Sequence, residues 1–179
     1  GRALLKRPYV RLISLCYAGF IFAYFFLDVA FYDYAARKFP NETDLASFIG
    51  QFFATTGLIT LITMVFLFAP FLRKFGVLGG MIAFPIVVSL GAIAISAMEL
   101  TGTATYLIFF VMVLTNGMRF VLQSAIWRPT VAILFQVLPD RQRIQGTSLI
   151  EGIIDPVSGG IAGLCLYLLT SQLGWAPKY

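Results

Sequence analysis

Long apolar runs fill almost the whole chain, and they limit the fold more than any other feature. Gly19–Val29, Leu58–Phe71, Val77–Met98 and Tyr106–Leu114 carry almost no charge, and a fifth, glycine-rich run follows them. A helix that crosses a bilayer needs roughly 20 mainly apolar residues to cover about 30 Å of hydrocarbon. Backbone amides in lipid must find partners within their own segment, so such runs become helices. The chain is therefore expected to be all-α, a polytopic transmembrane helix bundle forming one domain over residues 1–179.

Charge makes the same point. Only 12% of the residues are charged, and a soluble domain of this size carries about twice that share. The runs are too many and too long for a secretory signal peptide. The net charge of +5 is accounted for by basic loops on one face of a membrane, so no nucleic-acid partner is expected. The chain has no His, which removes the commonest general base and metal ligand. Cys16 and Cys165 lie in apolar sequence without partner spacing and read as small hydrophobes. Neither an enzyme activity nor a metal or other cofactor is expected.

Five crossings fit the pattern: about Tyr9–Ala36, Leu45–Phe71, Val77–Met98, Ala104–Leu138 and Gly146–Leu173. The fourth is roughly 35 residues, or about 52 Å of helix, more than one crossing needs. Pro129 is expected to kink it. Arg2, Lys6, Arg7, Arg11, Arg73, Lys74, Arg141 and Arg143 then fall on one side, against Arg37, Lys38 and Lys178 on the other. The positive-inside rule makes the first side, with the N-terminal end, cytoplasmic. Tyr179 is left on the outer side after the turn-like Gly174–Pro177, so a sixth helix is expected to bring the chain back. Gly1 is not an initiator Met, and Leu4–Pro8 reads as a linker. The chain is thus expected to be a piece of a longer protein.

The few polar residues inside the spans carry the functional clues. Asp28 shares a helix face with Tyr17 and Tyr24 at spacings of seven and four. A mid-helix Asp costs about 2.5–3.5 kcal/mol on insertion, so it must meet water or a partner. It reads either as a cavity-lining carboxylate or as half of a structural ion pair. Asp33 lies nearer the loop and reads as solvated. In the fourth span Asn116, Arg119, Gln123, Trp127 and Thr130 occupy a narrow wedge of an ideal helical wheel, a face that cannot point at lipid. The planar fork of Arg119 suits a carboxylate or phosphate. It is expected either to line a pathway for an anionic substrate or to close an internal salt bridge, for example with Asp28.

Other positions are weaker. Arg128 is rotated by about a third of a turn from that wedge and reads as an anchor or as a partner for an acid. Glu151 and Asp155, four apart, share a face of the fifth span. They repel, so Arg128, Arg141 or Arg143 is expected to neutralise one of them in a gating ion pair. Pro156 is expected to loosen that helix. Gly159–Gly163 has the small-residue spacing that lets helices approach closely. Gln51 and Thr55 share a face of the second span, and Asn41-Glu42-Thr43 has the form of a glycosylation sequon.

With these features in place the chain resembles the major facilitator superfamily. Arg73-Lys74-Phe75-Gly76, between the second and third spans, resembles the short basic loop that joins helices two and three of each six-helix half, without its acid and second basic cluster. Phe48-Ile-Gly-Gln-Phe-Phe53, Phe71–Gly76 and Phe84-Pro85 are more similar to the ATP/ADP translocase-like branch found in plastids and intracellular bacteria. Arg128-Pro129, Leu138-Pro139, Glu151-Gly152 and Asp155-Pro156 extend the likeness to bacterial relatives of that branch. The resemblance implies about five helices of a six-helix half, the C-terminal one given the linker-like start. Its site lies near the bilayer midplane, facing a second six-helix half. The first and fourth spans would line the cavity and the third would lie outside. It further implies alternating-access transport of a small anion such as a nucleotide. Arg119, Asn116, Gln123, Asp28 and Tyr24 would serve substrate binding, and Arg73, Arg128, Glu151 and Asp155 gating. A transport-inactive anchor, or a subunit of a larger membrane complex, is the other reading of the same residues.

Overall fold

Prolines and one glycine set the breaks in this chain. The computed structural model describes residues 8–136 and 139–172. Arg2, Lys6, Arg7, Leu138, Leu173, the Gly174–Pro177 turn, Lys178 and Tyr179 lie outside the described residues, as does the Arg141 side chain. The described helices are α1 (Pro8–Lys38), α2 (Glu42–Ile62), α3 (Phe68–Leu100), α4 (Thr105–Leu122), α5 (Arg128–Phe135), α6 (Asp140–Leu149) and α7 (Asp155–Gln172). Single π turns at Thr63–Leu67, Gln123–Trp127 and Ile150–Ile154 join α2 to α3, α4 to α5 and α6 to α7. Each lies just ahead of a proline: Pro70, Pro129 or Pro156. Proline lacks an N–H and its ring crowds the carbonyl four residues back. Widening the preceding turn to an i→i+5 bond relieves that crowding. The N–H groups of Phe68, Arg128 and Asp155 accordingly bond to the carbonyls of Thr63, Gln123 and Ile150. The bends expected at Pro129 and Pro156 take this form.

Four helical stretches among the described residues are long and apolar enough to cross a membrane: Ser14–Lys38, Glu42–Leu100, Thr105–Phe135 and Arg143–Leu168. The second has 59 residues, about 88 Å if straight, nearly three times the hydrocarbon thickness. It is not straight. Gly76 breaks α3 with φ 69° and ψ −178°, a conformation that glycine adopts without a Cβ penalty.

The packing on either side of Gly76 gives the direction of each arm. Phe48 meets Phe109, Phe53 meets Phe120, and the two π turns at Thr63–Leu67 and Gln123–Trp127 touch. The arm before Gly76 therefore runs parallel to α4. After Gly76, Gly80 sits against Thr130, Phe84 against Trp127 and Gly91 against Thr115, so the second arm runs antiparallel to α4 and α5. The chain reverses at Gly76, and the expected second and third crossings are the two arms of one hairpin.

Two compact units result, residues 28–134 and residues 1–27 with 135–179. In the first, Phe31 (fully buried) packs on Phe52, and Phe39, Phe48 and Phe109 continue the cluster. Asn41 caps α2 by accepting a hydrogen bond from the Thr43 N–H at 3.2 Å, so the sequon asparagine acts as a helix cap. At the same end the Tyr34 hydroxyl donates to the Glu99 carboxylate. In the second unit, a Cβ on Gly146 would stand 2.7 Å from the Phe135 ring, and one on Gly163 would stand 3.9 Å from Phe25. Gly152, Gly159 and Gly160 have no such neighbour within 4 Å among the described residues. The close approach made in this unit is therefore at Gly146 rather than along Gly159–Gly163. Cys16 and Cys165 are free thiols.

Candidate functional site

The middle of the 28–134 unit holds a pair of opposite charges at mid-span. Asp28 lies two residues past the centre of Ser14–Lys38, and Arg119 one residue before the centre of Thr105–Phe135. That depth is where an unpaired charge costs most. The two meet directly. Arg119 Nη2 donates to Asp28 Oδ1 at 2.5 Å, with side-chain exposures of 7% and 25%.

Helical spacing supplies the rest of the shell. Asn116, three residues before Arg119, accepts from Nε at 2.8 Å. Gln123, four residues after it, accepts from Nη1 at 2.9 Å. Positions i−3 and i+4 lie on one face of α4, so one helix turn in each direction brings an amide oxygen to the guanidinium. All three nitrogens of the fork thus have acceptors, and the buried charge has a carboxylate beside it. The ion pair foreseen as one of two readings of Arg119 is the arrangement present.

Trp127 and Thr130 do not join this cluster, against the expectation of one continuous polar stripe. Both are buried, but Trp127 packs on Phe84 and Thr130 on Gly80. The ideal wheel turns about 100° per residue throughout. The π turn at Gln123–Trp127 accommodates one extra residue, which sets every later side chain back by roughly that angle. Trp127 and Thr130 therefore share the face of Thr115, which packs on Gly91.

The remaining predicted positions are dispersed. Tyr24 is half-buried one turn before Asp28 on α1 and belongs to the other unit. Arg73 and Arg128 are exposed and lie outside the Arg119 cluster. Glu151 is exposed and Asp155 half-buried. Glu151 lies within the π turn Ile150–Ile154, and Asp155 follows it directly. Asp33 pairs with Arg37 at 2.7 Å on an exposed surface. Gln51 is exposed, whereas Thr55 lines an apolar groove between α2 and α4.

Two features escaped the sequence reading. The Tyr34–Glu99 bond joins residues far apart in the chain, and only the placement of both at one end of their spans hinted at it. The glycine contacts Gly80–Thr130 and Gly91–Thr115 had no signal beyond the glycines themselves.

Residues 2–161 match the family described as TLC ATP/ADP transporter. The chain is 28% identical over 95 residues to "ADP,ATP carrier protein 1" of Chlamydia pneumoniae, covering 53% of this chain and 18% of that protein. It is 24% identical over 160 residues to the protein of the same name from Chlamydia trachomatis, covering 83% of this chain and 30% of that one. The chain therefore spans less than a third of the length of these curated relatives. No solved structure gives a significant match.

Proposed function

The chain belongs to the TLC ATP/ADP transporter family, and from that premise we propose that it forms part of a carrier that moves nucleotides across a membrane by alternating access. It is an integral membrane protein, with helical stretches long and apolar enough to span. Arg119 carries the proposal. It is a fixed charge at mid-span whose planar fork is held in orientation by Asn116 and Gln123. That leaves the contact to α1, through Asp28, as the exchangeable one. A phosphate or carboxylate oxygen from the substrate would take the place of the Asp28 oxygen on Nη2. Asp28, released, would then hold a proton or a cation. Exchange of one ion pair for another keeps the mid-membrane charge compensated at every stage.

The packing supports the facilitator-type arrangement. α1 and α4, the helices that carry the polar groups, meet through Asp28 and Arg119. The nearly uncharged arm after Gly76 packs on another face of α4. In this reading a second set of helices faces the pair and supplies further cations for the nucleotide phosphates. The site lies in a bacterial inner membrane with the Arg73–Lys74 end cytoplasmic. Arg73, Arg128, Glu151 and Asp155 act at the ends of the cycle as gating charges.

A second reading is favoured by one specific observation: Asp28 already satisfies Arg119 within the chain. A transport-inactive anchor or subunit of a larger membrane complex would keep that pair permanently. Uptake of radiolabelled ATP, ADP and other organic anions into liposomes containing the full reading frame separates the two. The carrier reading expects uptake that falls at least a hundredfold in Arg119→Ala. Uptake unchanged in that variant removes Arg119 from the mechanism, and no uptake of any anion by the unchanged protein favours the inactive reading.

A further inference from the structure

A groove in the 28–134 unit is separate from the Arg119 cluster. It is an elongated groove of about 660 Å³ between the arm before Gly76 and α4 with its π turn. On one wall it follows a single helix face from Phe52 to Lys74, and on the other it runs from Val113 to Ile126. Gly117 lies in its floor, and the missing side chain deepens it there. The threonines along the wall do not make it polar. Thr56 Oγ1 donates to the Phe52 carbonyl at 2.7 Å, turning its methyl group outward. Ile59, Leu67 and Met118 line the groove and remain exposed, so it opens sideways toward the surroundings of the helices, which for a spanning helix are lipid.

One cation marks one end. Lys74 lines the groove at its Gly76 end, exposed, with its ammonium 5.3 Å from the Phe75 ring centroid. Among the described residues no carboxylate pairs with it. Arg73, next to it, is also exposed. From Lys74 back to Phe52 the wall is about 33 Å of helix, close to the whole of the roughly 30 Å core. The groove thus offers positive charge at a helix end and, behind it, an apolar track more than long enough for one acyl chain.

We propose that this groove binds one anionic phospholipid, with its phosphate at Lys74 and an acyl chain lying along α2 and α4. Charge complementarity at Lys74 selects the anionic headgroup, and the apolar track holds the chain. A zwitterionic lipid would gain the second contact without the first. A free phosphate would gain the first without the second.

The test uses the full chain in nanodiscs of equal parts phosphatidylcholine and phosphatidylglycerol, with a photoactivatable diazirine on the acyl chain of one lipid at a time. Labelled peptides are mapped by mass spectrometry. Phosphatidylglycerol is expected to label Ile59, Met118 and Leu122 about fivefold more than phosphatidylcholine, the gain that one interfacial cation gives. Lys74→Ala and Lys74→Gln, both at an exposed position, should bring that ratio to about one. Met118→Trp, which fills the track, should lower labelling of both walls by either lipid. Equal labelling by the two lipids in the unchanged chain overturns the proposal, leaving ordinary boundary lipid. Absence of label on either wall also overturns it, since another protein segment then covers the groove.

Discussion

α4 and its continuation make two unlike contacts within one unit. Toward the arm after Gly76 the contact is steric: Gly80, Phe84 and Gly91 lie against Thr130, Trp127 and Thr115. A Cβ on Gly91 would stand 2.0 Å from Thr115 Cγ2, so the backbones are as close as the side chains allow. Toward α1, at the depth of Asp28, the contact is a hydrogen-bonded ion pair. Close packing without charged groups has one arrangement and resists sliding. An ion pair can exchange one partner for another of the same sign. One contact therefore suits a fixed scaffold and the other a changing site, and the difference can be tested by substituting each.

The largest effect is expected at the polar contact. Arg119→Ala leaves Asp28 at mid-span without its cation, and stranding one partner of a buried pair costs about 3–5 kcal/mol. Asp28 keeps a quarter of its side chain exposed, so the lower end of that range is expected, together with loss of transport. Thermal unfolding in detergent reads the first effect and liposome uptake the second. The double variant Asp28→Asn/Arg119→Ala should regain most of the stability and none of the uptake. A double variant no more stable than Arg119→Ala would mean that the pair is not what holds this contact together.

The steric contact comes next. Gly91→Ala forces the arm and α4 apart and is expected to cost about 1–3 kcal/mol, as overpacking does. Uptake per folded molecule should remain, because no group of the Arg119 cluster moves out of reach. Pairing it with Thr115→Ser, which removes the most crowded atom, should restore part of the lost melting temperature. If Gly91→Ala lowers uptake as much as stability, the arm takes part in the cycle and the division between scaffold and site fails.

These contacts differ in how far they could be read from the chain. Arg119, Asn116 and Gln123 were legible because their spacings of three and four follow the 3.6-residue period. Asp28 was legible as a charge in an apolar run, though its partner was one of two alternatives. The reversal at Gly76 was legible as a glycine beside two cations between two long apolar runs, but placed there as a loop; it is one residue in an otherwise helical stretch. Trp127 and Thr130 were misplaced because the wheel assumes an unbroken period, and the π turn before Pro129 breaks it. Pro129 was visible in the sequence, but whether it yields a kink or a widened turn depends on what packs beside it. The Gly80 and Gly91 contacts depend on a partner helix that local sequence does not name.

A smaller effect sharpens the polar side. Arg119→Lys keeps the charge and loses the fork. A lysine has the charge for Asp28, but it cannot bond Asn116, Gln123 and Asp28 from three fixed directions. Stability should fall by about 1 kcal/mol, the net value of a typical hydrogen bond. Uptake should fall much more than that if the planar arrangement is what receives a phosphate. Equal small losses in both would assign Arg119 to charge balance alone.

The smallest effect lies at the end of the unit, where Tyr34 donates to Glu99 and so joins α1 to the arm after Gly76. This contact is polar like the Arg119 cluster, yet it holds the same arm as the glycine face. Tyr34→Phe keeps the ring and removes the hydroxyl, and since Glu99 is exposed, water replaces the lost bond. The expected cost is about 0.5–1 kcal/mol, readable as a shift of a few degrees in the melting temperature. If the arm is fixed scaffold, the variant should change stability without changing the rate of uptake. A faster or slower rate at equal stability would instead make Tyr34–Glu99 a contact that opens and closes during transport, placing α1, and not the glycine-packed arm, on the moving side.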